Sequence, residues 1–274
     1  MDHQALEHLR ATSAQLAAGD LSVRAAEQGP EEMAELGADF NAMAESIERL
    51  FEARRELVAW ASHDLRTPLA SMQAMIEALE DGLADPREYL PALHDRLTVL
   101  SQLVDDLFEL SRIDAGVLAL HLQPAAIDQL VNSCVQGFRA EASAKGVNVS
   151  TRIDSAPPSV TCAPDKVERV LHNLLANALR HTPADGSIAI AVEVNGDHVT
   201  IAVEDTGEGI DTETARRIFE RFWRGESSRT TPGCGLGLAI ARGLIEAQGG
   251  HIWSEPRPQG ARVAFTLPAA TGAP

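Results

Sequence analysis

Two apolar stripes with helical spacing dominate the chain between residues 57 and 113. The first covers residues 57–79 and the second residues 90–113, with a glycine and an Asp-Pro pair at 82–86 between them. Apolar residues at spacings of three and four predict long amphipathic helices. Pro68 lies inside the first stripe and favours either a helix break or a kink with continuation. A lone hairpin cannot cover both apolar faces, so the pattern predicts a homodimer that forms a four-helix bundle.

Residues 1–50 contain two shorter stripes of the same kind. The first ends at Gly19, and the second begins after Pro30 and continues into the hairpin region. Glu31 and Glu32 follow the proline, where the positive end of a helix dipole favours acidic side chains. This segment therefore predicts a pair of helices upstream of the hairpin.

The pattern changes near Val117, where short apolar runs begin to alternate with helical patterns. The runs are 117–122, 147–153, 187–194, 198–204 and 261–267, and the helical patterns are 127–144, 165–181 and 236–248. Asn195-Gly196-Asp197 joins two runs and is typical of a tight hairpin turn. Strands mixed with helices, with at least one antiparallel pair, predict an α/β sandwich rather than a doubly wound sheet. The fold class is therefore multidomain, with an all-α bundle followed by an α/β domain.

The formal net charge of −17 restricts the partners of the chain. Such an acidic surface repels nucleic acid, so we expect no nucleic-acid partner. No apolar run reaches the roughly 20 residues that a bilayer-spanning helix needs. Cys134, Cys162 and Cys234 are too widely spaced for a disulfide framework or a zinc site, which favours a reducing cytoplasm.

The segment 62–68 places His63 beside a carboxylate. A neutral imidazole has a pKa near neutrality and can attack phosphorus through one ring nitrogen. Asp64 could hold the proton of the other nitrogen, as the carboxylate does in a Ser-His-Asp triad. Thr67 lies one helical turn from His63, where its hydroxyl could place a water near a phosphorylated imidazole. A single helical histidine is more often structural, so the phosphoryl-transfer hypothesis depends on the other motifs.

Asn173 and Asn177 are four residues apart and share one face of a predicted helix. Such a pair can simply cross-link a core. An amide oxygen is also a suitable hard ligand for Mg²⁺, which takes its remaining oxygens from water and substrate phosphates. Arg180 and His181 lie one turn further on, where they could reach phosphate oxygens.

Two glycine-containing turns complete the candidate site. Asp205 opens the segment 205–210 at the end of a predicted strand. Its carboxylate could accept a hydrogen bond from an amine such as that of adenine. The segment could also be an ordinary glycine turn, which is common. The segment 233–238 opens the last predicted helix, whose N-terminal amides favour anions. It lacks the preceding strand of the dinucleotide fingerprint and the lysine of the P-loop. The polar stretch 225–232 before it is typical of a mobile lid.

Together and in this order, these segments resemble the sensor histidine kinases of two-component signalling. The resemblance covers nearly the whole chain and rests on five motifs, the H-box (62–68), N-box (173–177), G1 box (205–210), F-box (219–222) and G2 box (233–237). Gly19-Asp20-Leu21 and the segment 40–43 are similar, less closely, to a HAMP signal relay.

The resemblance implies a role for each site residue. His63 would be the phosphoacceptor and Asp64 its activating acid/base, while Asp64 and Thr67 together match the pattern linked to dephosphorylating the partner. Asn177 would ligate Mg²⁺, with Asn173 nearby. The ATP contacts would come from Asp205, Gly207, Gly209 and Ile210 at the adenine, and from Arg180, His181, Arg224, Gly235, Leu236, Gly237 and Leu238 at the phosphates.

The function implied by the resemblance is a homodimeric protein-histidine kinase. It would phosphorylate its own His63 from Mg-ATP, pass the phosphoryl group to an Asp of a response regulator, and dephosphorylate that partner. ATPases of the wider Bergerat (GHKL) group carry Glu where this chain has Asn173, and an amide cannot act as that base. The alternatives are a nucleotide-binding dimeric scaffold and a Bergerat-type ATPase or Ser/Thr kinase.

The resemblance also implies a domain organisation. It consists of HAMP-like helices (1–50), a dimerisation and phosphotransfer hairpin (51–116), a Bergerat-type ATP-binding domain (117–268) and a tail (269–274). The region of Gly116 is the expected hinge between hairpin and catalytic domain. HAMP modules normally follow a transmembrane helix, so the alternatives are the cytoplasmic part of a longer membrane receptor and a naturally soluble variant. We expect the cytoplasmic part of a bacterial inner-membrane receptor, joined to the membrane only through a segment outside this sequence.

Overall fold

The chain divides into two units, Met1–Asp85 and Pro86–Pro274. The computed structural model describes residues 2–28, 30–153, 157–225 and 235–270. None of the helices in these ranges combines the length and the apolar composition needed to cross a membrane.

The first unit consists of helix α1 (Asp2–Ala17) and the long helix α2 (Glu31–Glu80). Glu31 and Glu32 occupy the first turn of α2, where the helix dipole favours them. The helix continues through Pro68, so continuation is the correct one of the two expected outcomes. Proline removes one backbone hydrogen bond from a helix, and the turns on either side of Pro68 preserve the helical path.

The side-chain amide of Asn41 and a small apolar cluster stabilise the connector, which is the segment between α1 and α2. Asn41 Oδ1 accepts the backbone N–H of Ala25 at 2.7 Å, and Asn41 Nδ2 donates to the Ala25 carbonyl at 3.1 Å. The buried cluster consists of Ala25, Phe40 and Ala44, against which Leu9 and Leu16 pack. Leu9 and Leu16 of the predicted stripe therefore pack against the connector and against Phe40 and Ala44 of α2.

The second unit begins with helix α3 (Pro86–Asp114) and continues as an α/β fold. Its other elements are β1 (Gln123–Ala125), α4 (Ile127–Lys145), β2 (Asn148–Ile153), β3 (Val160–Cys162), α5 (Pro164–His181), β4 (Ser187–Asn195), β5 (His198–Asp205), α6 (Thr212–Arg217), α7 (Gly237–Glu246), β6 (Ile252–Glu255) and β7 (Arg262–Pro268). Five strands form one sheet in the order β2-β4-β5-β7-β6, and β1 pairs separately with β3. The β2–β4 pair is parallel and the other neighbours in the sheet are antiparallel. The predicted α/β sandwich is confirmed.

The core of the second unit lies between this sheet and the helices α4, α5 and α7. Alternate residues of β4, such as Ile188 and Ile190, are fully buried, as is Ile201 of the neighbouring strand β5. Successive side chains of a strand point to opposite faces, so the small buried cluster of Ala191, Ala202 and Ala264 lies on the other face, and these isoleucines belong to the larger apolar face. The helices cover that face, which places the C-terminal end of β5 beside α5.

The structure corrects two expectations from the sequence. Residues 117–122 are not a strand, and β1 starts at Gln123 and pairs with β3. Val117 and Leu122 remain exposed, so the apolar character of that run does not reflect burial. The predicted tail begins too early, because the backbone N–H of Ala269 donates to Asp197 O at 2.8 Å and that of Ala270 to Ser159 O at 2.7 Å.

Candidate active site

A cavity of about 680 Å³ lies in the second unit between α5, the loop after β5 and the start of α7. All of the predicted nucleotide-binding residues except Gly207 line this cavity. A fourth wall comes from α3, which the sequence did not indicate, through Val99, Gln102, Leu103 and Asp106. A second cavity of about 470 Å³, between α4 and α5, contains none of the predicted site residues.

Helix α5 presents four of the predicted residues because it is strongly amphipathic. Its buried side includes Val167, Val170, Leu171, Leu174, Leu175, Ala178 and Leu179. Asn173, Asn177, Arg180 and His181 face the cavity instead. The Asn173 Nδ2 group donates to the carbonyl of Gly237 at 2.9 Å, so this amide joins α5 to the start of α7. Asn173 therefore supports the junction between the two helices at the wall of the cavity.

Asp205 stands at the C-terminal end of β5 and is held by two backbone groups. Its Oδ1 accepts from the N–H of Gly207 at 2.8 Å and from the N–H of Ala261 at 3.2 Å. In the part of the chain that the structure describes, both bonds use Oδ1, which leaves Oδ2 to accept from an amine in the cavity. Gly207 lies behind Asp205, and a Cβ on Gly207 would come within 2.5 Å of the His181 carbonyl oxygen. Only a glycine allows this close approach of the turn to the end of α5.

Burial shifts the protonation of both ionisable groups at this end of the cavity. The pKa of Asp205 is raised, chiefly by burial, while the N–H groups of Gly207 and Ala261 oppose the rise. The pKa of His181 is lowered, first by burial and then by the nearby Arg180 guanidinium, while Glu208 and Asp205 oppose the change. The site therefore favours the neutral form of the His181 imidazole. Any hydrogen-bond donor placed against Asp205 would stabilise its ionised form.

Sequence reasoning missed Gly260 and Ala261, which support Asp205 from the strand side. The Gly260 N–H donates to the Gly207 carbonyl at 2.8 Å. Gly260 has a φ of +67°, and a Cβ there would lie 2.1 Å from the Asp205 carbonyl oxygen. Its place next to β7 gave no indication of this contact, because the partner is more than 50 residues away in the chain.

The start of α7 forms the opposite end of the cavity. Residues Gly235 to Leu238 line it, and the first N–H groups of a helix have no partner within the helix. Those groups and the positive end of the helix dipole favour an anion such as a phosphate. The Phe222 N–H donates to the Gly235 carbonyl at 3.1 Å, which brings Arg224 to the same wall. Gly233, Cys234 and most of the predicted lid lie outside the described residues.

The predicted phosphoacceptor segment belongs to the first unit. His63 and Asp64 lie on the backbone of α2, and their side chains are outside the described residues. Thr67 follows one turn later in the same helix and is exposed. Continuation of α2 past Pro68 keeps the three residues on a single helix, with Thr67 one turn from His63 as the sequence predicted.

A magnesium ion would depend on few protein ligands in this cavity. Among the described residues, no group of three or more His, Cys, Asp or Glu side chains could hold a metal ion. Asn177 offers a hard amide oxygen in the cavity, and Mg²⁺ commonly combines one or two protein ligands with water and substrate phosphates. The residues present fit that mode of binding.

Three family models match the chain in sequence order. The HAMP domain covers residues 4–49, the His Kinase A (phospho-acceptor) domain covers residues 53–116, and the Histidine kinase-, DNA gyrase B-, and HSP90-like ATPase covers residues 162–271. The signal transduction histidine-protein kinase BaeS of Escherichia coli (strain K12) is 34% identical over 253 residues, or 89% of this chain. The chain belongs to the sensor histidine kinase family. This histidine kinase chain corresponds to 53% of the length of BaeS, so it spans about half of that relative.

Solved structures of histidine kinases share the fold. The Acinetobacter baumannii histidine kinase AdeS superposes with a TM-score of 0.64 and 26% identity, over 76% of this histidine kinase chain and 98% of AdeS. Full-length ShkA in complex with AMPPNP superposes with a TM-score of 0.62 and 30% identity, over 80% of this chain and 47% of ShkA.

Proposed function

We propose that this chain phosphorylates its own His63 from Mg-ATP and passes the phosphoryl group to an Asp of a response regulator. The main support is the single cavity in which Asn177, Arg180 and Asp205 converge with the start of α7. These groups come from three separate elements and supply an amine acceptor at one end and anion-binding groups at the other. That combination suits a nucleoside triphosphate.

Each end of the cavity would bind a different part of ATP. Asp205 would accept from the exocyclic amine of adenine through Oδ2, while its Oδ1 remains bonded to Gly207 and Ala261. Arg180, Arg224 and the first amides of α7 would bind the phosphates. Mg²⁺ held by Asn177 would neutralise charge that develops on the phosphate oxygens.

The absence of a base at position 173 favours transfer to a protein group over hydrolysis. The Asn173 amide is bonded to the Gly237 carbonyl and cannot take a proton from water. The nucleophile would be the neutral ring nitrogen of His63. It attacks the γ-phosphorus, an N–P bond forms as the bond to the β–γ bridging oxygen breaks, and ADP leaves. Asp64 would hold the proton on the other ring nitrogen.

A homodimer is proposed because both long helices leave large apolar side chains exposed. On α2 these include Leu69 and Ile76, and on α3 they include Leu90, Leu97 and Phe108. Their helical spacing is typical of an interface in a helical bundle. We further propose that the chain is the cytoplasmic part of a bacterial inner-membrane receptor and that Asp64 and Thr67 support dephosphorylation of the regulator.

Incubation with Mg²⁺ and γ-labelled ATP tests the proposal. The parent chain and His94→Gln, which changes an exposed histidine of α3, should acquire an acid-labile, alkali-stable label. His63→Gln should acquire none while binding nucleotide as the parent does. Equal labelling of His63→Gln would exclude His63 as the acceptor. Nucleotide binding without any label would favour a dimeric scaffold.

A further inference from the structure

The side chain of Lys145, the last residue of α4, reaches the C-terminus of α5. Its Nζ donates to the carbonyl of Leu179 at 2.6 Å and to the carbonyl of Arg180 at 3.1 Å. The last carbonyls of a helix have no donor within the helix, so they need a partner from elsewhere. Gly146 follows with a φ of +75° and turns the chain away into β2, which leaves the lysine side chain at the end of α5.

Lys145 makes no ion pair with an acidic side chain among the described residues. An ammonium group is strongly hydrated and usually remains in water or beside a carboxylate. Here it is placed against two backbone carbonyls at the negative end of a helix dipole, where a cation is stabilising. The Lys145 ammonium therefore stabilises the conformation of the last turn of α5.

That last turn includes two of the predicted nucleotide-binding residues. Arg180 supplies one of the carbonyls that accept from Lys145, and His181 is the next residue. Both side chains line the cavity. A shift or fraying of this turn would move both of them relative to the phosphates.

The same turn also supports the loop that holds Asp205. The His181 carbonyl oxygen lies so close to Gly207 that a Cβ there would approach it to 2.5 Å. The Gly207 N–H in turn donates to Asp205 Oδ1 at 2.8 Å. A short series of contacts thus connects the Lys145 ammonium, the end of α5, the turn after β5 and the proposed adenine acceptor.

We infer that Lys145 is a positioning residue of the nucleotide site. It fixes the last turn of α5 and, through that turn, the placement of Arg180, His181 and the Asp205–Gly207 turn. This inference rests on the proposed function, because it concerns the affinity of the same cavity for nucleotide. Lys145 bonds to backbone carbonyls of α5 and not to the groups that are proposed to bind the nucleotide.

Nucleotide affinity measured with the Mg²⁺ complex of AMPPNP tests the inference. Lys145→Met should weaken binding about tenfold, because two carbonyls lose a charged donor and the turn loosens. Lys145→Arg, which keeps a cationic donor, should recover affinity to within about threefold of the parent. Arg139→Met removes a positive charge from an exposed site on the same helix and serves as the control, with affinity unchanged.

A purely structural role would give a different result. In that case Lys145→Met would lower the unfolding temperature but bind AMPPNP within about twofold of the parent, and the inference would be wrong. If Lys145→Met does not fold, Lys145→Gln in the same assay decides, with the same expectation of weaker binding. Failure of the parent to bind AMPPNP would reject the proposed function itself, which distinguishes the two failures.

Discussion

Charge removal at Glu109 should weaken the packing of α3 against α5. The Glu109 side chain is buried, and its two oxygens accept from Lys166 Nζ and from Arg169 Nη1, each at 2.9 Å. Arg169 Nη2 also donates to Asp106 of α3 at 2.7 Å. Glu109→Gln keeps the shape of the side chain and leaves two cations facing a neutral amide. We therefore expect a loss of stability that is concentrated at the α3–α5 contact.

The size of the loss follows from the burial of the partners. Removing one member of a fully buried pair costs about 3–5 kcal/mol, because the remaining charge stays desolvated. Here Lys166 and Arg169 retain 18% and 25% of their side-chain exposure, so water can partly solvate them. We expect about 2–3 kcal/mol, which corresponds to roughly a 30- to 150-fold change in the equilibrium between packed and separated α3.

Hydrogen exchange of the α3 backbone amides reports on this loss, because a helix without its packing contacts opens its own hydrogen bonds more often. The control is Glu246→Gln, which breaks an exposed pair with Arg242 on α7 and should cost at most about 0.5 kcal/mol. If transfer to His63 requires the catalytic domain to leave α3, Glu109→Gln should also increase the rate of autophosphorylation. Exchange rates in Glu109→Gln that match those in Glu246→Gln would refute the reasoning.

Three further changes test other parts of the site. Asp205→Asn should reduce nucleotide affinity roughly 100-fold in a binding titration, because an amide donor would face the adenine amine, and unfolding should change little. Gly260→Ala should destabilise the fold by more than about 2 kcal/mol in thermal unfolding, whereas Gly196→Ala, with a similar φ but open space, isolates the strain alone. Because the His181 pKa lies below its usual 6.5 in the folded chain, the unfolded chain takes up the proton first. The parent should therefore lose stability relative to His181→Gln as pH falls through 6.5, and equal losses in denaturant titrations would contradict this assignment.

Local pattern was sufficient where a contact depends on residues close in sequence. The spacing of Asn173 and Asn177 places both on one helix face at any tertiary arrangement, and the structure has both in the cavity. The short apolar runs at 187–194 and 198–204 and the turn at Asn195 likewise predict the hairpin that the sheet contains. Long periodic segments, and neighbouring apolar runs joined by a short turn, were therefore predictable.

Contacts between distant segments could not be predicted in this way. Gly260 and Ala261 support Asp205 only because β7 lies beside β5 in the sheet. The helix α3, which lines part of the cavity, forms ion pairs with Lys166 and Arg169, and neither residue belongs to a motif. The strands β3 and β6 were missed because three or four residues are too few to show alternation.

Because α2 is unbroken, the direction in which residue 63 faces around the helix axis is fixed by the number of residues that precede it in the helix. With a rise of 1.5 Å per residue, the 50 residues of Glu31–Glu80 form a rod about 75 Å long. One residue inserted before position 63 would rotate everything after it by about 100°, whereas seven residues would restore the phase to within about 20°. An insertion series between residues 45 and 50 should therefore change activity periodically rather than progressively. The number of residues in this helix would then be as strict a requirement as the identity of His63.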